Sequence, residues 1–109
     1  MITAVPLEYE FADKFKISGH FGRSDAFALI EDGKLTKIIP NPAKGFKLAV
    51  SGCRRQKYAR ELAEHLKTHF VEVIAIRKMG KYMKEFMQSQ GFRIVQIVNL
   101  LENSLKDFL

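Results

Sequence analysis

A chain of 109 residues with 18 Lys and Arg against 12 Asp and Glu has a net charge of +6 and the size of one domain built on one core. Its 47% hydrophobic and 28% charged residues exclude a disordered or fibrous chain. No apolar run nears the roughly 18 residues that cross a bilayer. Cys53 is the only cysteine, which excludes an internal disulfide and a closed zinc site of four cysteines, or of two cysteines and two histidines, within one chain. Met1 to Pro6 lacks the basic start and long apolar segment of a secretion signal, so the expected location is the cytoplasm. The positive charge favours anionic partners.

In chain order, Ile2 to Leu7 is β-branched and apolar and reads as the first strand. Glu8 to Ile17 reads as a charged connection into a glycine loop, Ser18-Gly19-His20-Phe21-Gly22-Arg23-Ser24-Asp25. Gly19 and Gly22 can take positive φ without a Cβ penalty, letting the backbone turn tightly under an imidazole and a guanidinium. Asp32-Gly33 between Ala26–Glu31 and Leu35–Ile39 predicts a two-residue hairpin. Pro40-Asn41-Pro42 ends that sheet segment. Residues 43–52 could be a loop or a short extra strand.

From Arg54 to His69 the apolar residues Tyr58, Ala59, Leu62, Ala63 and Leu66 follow helical spacing. Val71 to Ile76 is a nearly continuous apolar strand, as expected when both faces are covered. Met79 to Gln90 predicts a second helix, with Met79, Met83 and Met87 as core packing and Gly91 at its C-terminus. Phe92 to Val98 is a further strand, and Asn99 is placed to cap a final helix. The order βββαβαβα implies a single α/β domain over residues 1–109, with a mixed five-stranded sheet and helices on both faces. Strands one, three, four and five can then run parallel, with their carboxyl ends on one edge, where ligands of open α/β sheets bind.

Three connections meet at that edge in this topology. They gather His20, Arg23, Lys44, Lys47, Cys53, Arg54, Arg55, Arg77 and Lys78, a cationic set with one imidazole and one thiol. Imidazole and thiolate both suit iron, and a cysteine just before a helix feels the positive end of the helix dipole. Arg23 either faces the ligand or pairs with Asp25. Glu61, His65 and His69 share a helix face, more simply explained by a cation at the helix C-terminus than by a metal. No Ser-His-Asp set, phosphate-binding lysine loop or dinucleotide fingerprint is present, and the first strand offers no inward carboxylate for two-metal chemistry. The chain therefore reads as a binding protein rather than an enzyme.

The Ile2-Thr3-Ala4-Val5-Pro6 start, Gly19-His20-Phe21-Gly22-Arg23-Ser24 followed by Phe27, Glu31-Asp32-Gly33, Asn41-Pro42 and Gly91-Phe92-Arg93-Ile94-Val95 resemble the dinitrogenase iron-molybdenum cofactor biosynthesis family. The resemblance implies a ribonuclease H-like sheet and a cytoplasmic carrier of iron-sulfur or iron-molybdenum-type clusters. It makes His20, Arg23 and Cys53 the cluster-binding candidates, with His20 and Cys53 as metal ligands. Lys44, Lys47, Arg54, Arg55, Arg77 and Lys78 then form an anion cradle. The implied partner is a cluster donor or acceptor protein, with no membrane; a homodimer could bring two copies of Cys53 together. Two departures stand out: the segment after Asn41-Pro42 lacks the histidine- and glycine-rich run of single-domain relatives, and the turn after residue 76 is short. The alternative reading is a nucleic-acid-binding or regulatory interaction domain using the same basic edge; the chain lacks the aromatic stacking motif of common RNA-binding sheets.

Overall fold

The computed structural model describes residues 1–11, 14–42 and 52–97. Eight elements follow one another: β1 (Ile2–Phe11), β2 (Lys14–Ile17), β3 (Ala26–Glu31), β4 (Lys34–Pro40), α1 (Gly52–Thr68), β5 (Val71–Ile76), α2 (Lys81–Ser89) and β6 (Arg93–Gln96). The sheet has six strands in the order β4-β3-β1-β5-β6, with β2 paired to β1. β1 is antiparallel to β3, and β3 to β4, whereas β1, β5 and β6 are parallel. β1, β4, β5 and β6 therefore point the same way, as the sequence implied.

One strand more than expected is present. The stretch after Leu7 is the far half of β1 and its hairpin partner β2, with Glu8 opposite Lys16 and Tyr9 opposite Phe15. Glu8-Tyr9-Glu10-Phe11 and Lys14-Phe15-Lys16-Ile17 alternate charge with apolar bulk, which is strand periodicity, and the charges of the two runs are complementary. Lys16 Nζ lies 3.4 Å from Glu8 Oε1.

Asp32 and Gly33 both have positive φ, 52° and 76°, as a two-residue turn that matches strand twist demands. Side chains alternate across the sheet. Ala4, Phe27, Leu29, Ile74 and Ile76 join Tyr58, Leu62, Ala63, Leu66 and Met87 in the main core, so both described helices cover the same face. Val5, Leu7, Ile17, Ala28, Ile30, Ala75 and Ile97 form a second buried cluster on the other face. The final helix expected from Asn99 lies outside the described residues, so helices on both faces are not what the described part contains.

Helix ends follow their sequence signals unequally. Gly91 (φ 95°) closes α2: the Phe92 N–H bonds to the Met87 carbonyl and the Gly91 N–H to that of Gln88, both at 3.1 Å. This is the paired termination that glycine permits, with Met87 and Phe92 both in the core beneath it. α1 ends instead on Phe70 at φ 61°, with its ring 78% exposed. Phe70→Gly removes a left-handed penalty at little loss of burial, and is expected to raise stability by about 0.5–1 kcal/mol, read as a higher urea midpoint. Phe70→Ala keeps the penalty and should show no such gain.

Candidate functional site

The glycine loop is held at both ends by β1. The Ser18 N–H donates to the Pro6 carbonyl and the Asp25 N–H to the Leu7 carbonyl, each at 2.8 Å. Successive carbonyls of a strand point to opposite sides in the plane of the sheet. The loop therefore steps across β1 from its β2 side to its β3 side.

Inside the loop, hydroxyls replace the backbone ladder. Ser18 Oγ donates to the His20 carbonyl (2.8 Å) and accepts from the His20 N–H (3.1 Å). Ser24 Oγ donates to the Phe21 carbonyl at 2.8 Å. Phe21 is buried against Phe27, ring centroids 5.4 Å apart, and anchors the loop in the core while His20 and Arg23 on either side are exposed.

Neither Gly19 nor Gly22 has a positive φ, contrary to the sequence expectation; Gly33 and Gly91 are the glycines that do. Gly22 is needed for a different reason: a Cβ there would stand 3.0 Å from the Tyr58 hydroxyl of α1.

Asn41, at the end of β4, clamps the loop from the other side. Its Nδ2 donates to the Ser24 carbonyl (2.8 Å) and the Gly22 carbonyl (3.3 Å), and its N–H to the Asp25 carbonyl (3.1 Å). The Tyr58 and Asn41 side chains are also hydrogen-bonded. Burial pushes the Tyr58 phenol above its ordinary value, opposed by Asn41 and the Arg23 charge, so it stays neutral. The Asp25 carboxylate accepts the Tyr9 N–H at 2.6 Å and so holds the loop to β1.

A cavity of about 470 Å³ opens between this loop and the residues that follow β5. His20, Arg23, Lys78 and Lys81 supply its polar lining, and Phe21, Tyr58, Met79, Tyr82 and Met83 its apolar lining. No carboxylate lines it. α2 enters the wall at Gly80 with no side-chain cap and no acid in its first turn. Lys81 stands there instead, at the end where the helix dipole disfavours a cation. An anion in the cavity would offset both the lysine and the unfilled N–H groups.

The sequence-derived candidates divide on this geometry. His20, Arg23 and Lys78 line the cavity. Arg77 is half-buried and does not. Lys44 and Lys47 lie outside the described residues. Cys53, Arg54 and Arg55 fall in the first turn of α1, with their side chains outside the described part. Among the described residues no three His, Cys, Asp or Glu side chains converge to hold a metal ion.

Lys81, Tyr58, Tyr82, Met79 and Met83 were not foreseen in the lining. Tyr58 had a visible signal, since it is the one hydroxyl-bearing side chain on the apolar face of α1. The methionine stripe splits: Met87 is core, whereas Met79 and Met83 pack against the core and also face the cavity.

The sequence profile of the dinitrogenase iron-molybdenum cofactor family matches residues 1–109. The chain belongs to this family. Its fold is similar to the apo form of the orange protein from Desulfovibrio gigas, at 15% identity over 98% of this chain and 82% of that one, TM-score 0.71. It is also similar to a NifB-like protein from Thermotoga, at 15% identity over 94% and 78% of the two chains, TM-score 0.63. No protein of curated function matches the sequence. Family members are associated by name with a metal cofactor, and among the described residues no helix is long and apolar enough to cross a membrane.

Proposed function

We propose that the protein binds and carries an anionic iron-sulfur-type cluster or cofactor precursor as its cargo, in the cavity beside the glycine loop, and that it catalyses no reaction. The observation that carries this reading is a lining with one imidazole, three cations and no carboxylate. His20 offers a nitrogen ligand from a loop fixed by Ser18, Asn41 and β1. Arg23, Lys78 and Lys81 offset the charge of the cargo, with the α2 N-terminus adding to the same field. Cys53 is the second candidate ligand, and Lys44, Lys47, Arg54 and Arg55 would extend the cradle. With so few protein donors, the cargo brings most of its own ligands, and its donor or acceptor protein meets the exposed rim of Arg23, Lys78 and Lys81. A cytoplasmic setting and a homodimer in which two Cys53 thiols share one cargo belong to the same proposal.

Anaerobic incubation with iron(II) and sulfide, followed by visible absorption and iron quantitation, tests it. The native protein should retain iron with sulfide-to-metal absorption. His20→Ala should lose most of it, and Arg23→Ser with Lys81→Gln should make retention sharply more sensitive to salt. A native protein that takes up no iron, as monomer or dimer, overturns the reading. A basic edge that instead binds nucleic acid would show affinity falling steeply with salt and no dependence on His20.

A further inference from the structure

α1 carries one histidine that the proposed site does not use. The His65 ring is half-buried against the end of β4, where it is hydrogen-bonded to the Pro40 carbonyl. Its Nε2 is enclosed and has no hydrogen-bond partner. The carbonyl contact is therefore made by Nδ1, which fixes the neutral tautomer with the proton on Nδ1. The residue after Pro40 is Asn41, whose side chain holds the Gly22 and Ser24 carbonyls of the loop. A histidine on one helix is thus joined to the cavity wall through two consecutive residues.

Protonating this ring would add an N–H donor where nothing accepts it, and a charge where little water reaches. The described charged groups nearest it are few. On α1, Glu61 and His69 lie one turn to either side, and the His69 ring centroid is 5.0 Å away. On β4, Lys37 pairs with Leu29 of the main core, which places it on the face that α1 covers. His69 and Lys37 oppose a charged His65, and Glu61 favours one. Burial pushes the His65 pKa below its ordinary value, His69 pushes the same way, and the Pro40 carbonyl pulls it back.

We infer that His65 is a positioning residue for the cavity: its neutral ring holds Pro40, and through it the Asn41 clamp, while its protonation releases the clamp and loosens the glycine loop. The loop movement stands on the geometry alone; that it lets cargo go on acidification rests on the proposed function. The sign is fixed. A histidine whose folded pKa lies below its unfolded value gives stability that is complete above about pH 6.5 and is lost as the pH falls from there toward the folded pKa.

The test is a two-dimensional NMR titration of the cargo-free protein from about pH 8 to about pH 5, reading the Asn41 side-chain amide, the Ser24 amide and the three histidine rings. The expected result is one midpoint shared by His65, Asn41 and Ser24, lying below about 6.5, with exchange of the Asn41 N–H at least about tenfold faster beneath it. His65→Gln should abolish that midpoint, and His69→Gln should move it up. Asn41 and Ser24 signals that titrate with His20, or that keep their midpoint in His65→Gln, overturn the inference. If His65→Gln does not fold, His69→Gln decides: an Asn41 midpoint that fails to move with that of His65 overturns it equally. Iron retention measured over the same pH range separates the two readings. A shared midpoint without iron uptake at any pH overturns the cargo and leaves the device standing.

Discussion

Asn41→Ala is expected to destabilise the protein by about 2–4 kcal/mol, because it strands two carbonyls that have no other partner in reach of water. The Ser24 carbonyl loses a donor at 2.8 Å and the Gly22 carbonyl one at 3.3 Å, in a region where Asn41 is 6% and Ser24 0% exposed. The Tyr58 hydroxyl loses its hydrogen-bonded neighbour as well. Asn41→Asp has the same shape and separates donation from packing: a carboxylate cannot donate to either carbonyl and repels both, so it should cost at least as much. Urea denaturation checks this, through a lower midpoint with an unchanged slope. Cargo retention should fall further than stability alone explains, since the loop that carries His20 and Arg23 loses its outer clamp.

Leu62→Ala has the larger expected effect, about 3–4 kcal/mol, because it combines lost apolar transfer with a cavity that rigid neighbours cannot fill. Leu62 is 0% exposed and sits mid-way along α1 in the cluster with Phe27, Leu29, Ile39 and Ile74. Sheet strands on one side and α1 itself on the other leave little freedom to collapse. A domain of this size has only about 5–15 kcal/mol in all, so a quarter or more of its stability goes with one side chain. Leu35→Ala is the control. At 39% exposure on the edge strand β4 it removes mostly solvated surface, and is expected to cost less than about 1 kcal/mol.

Where the sequence could be read, a local rule had few competitors. Asp32-Gly33 accepts positive φ at both positions, and Gly91 stands where α2 must end, so both turns followed from residue type. The apolar stripe of α1 matched its buried residues one for one: Tyr58, Ala59, Leu62, Ala63 and Leu66. β2 was missed although its alternation is strict, because Glu and Lys at every second position resemble a solvated connection until the opposite charges of its partner strand are set beside them.

The site was half legible. His20 and Arg23 flank an aromatic anchor, a short-range pattern, and the meeting of the loop with residues 78–80 followed from strand direction. Lys81, Tyr82 and Met83 depend on where α2 begins, which a sequence pattern fixes only to within a few residues. The Asn41 clamp and the close approach of Tyr58 to Gly22 are tertiary contacts with no local signal at all.

β1 also sets an order of events. Its ten residues, Ile2–Phe11, meet β2 and β3 across short connections, but its third partner is β5, where Ile2 pairs with Val71. Contacts between residues so far apart in the chain must first overcome the entropy of closing the intervening loop, and they slow folding accordingly. During synthesis the glycine loop can therefore be in place on its strands while the wall that faces it, Lys78 to Met83, has yet to leave the ribosome. Capture of cargo then waits on the last helix of the site, and a nascent or partly unfolded chain offers His20 and Arg23 on an open surface with nothing opposite to hold what they attract.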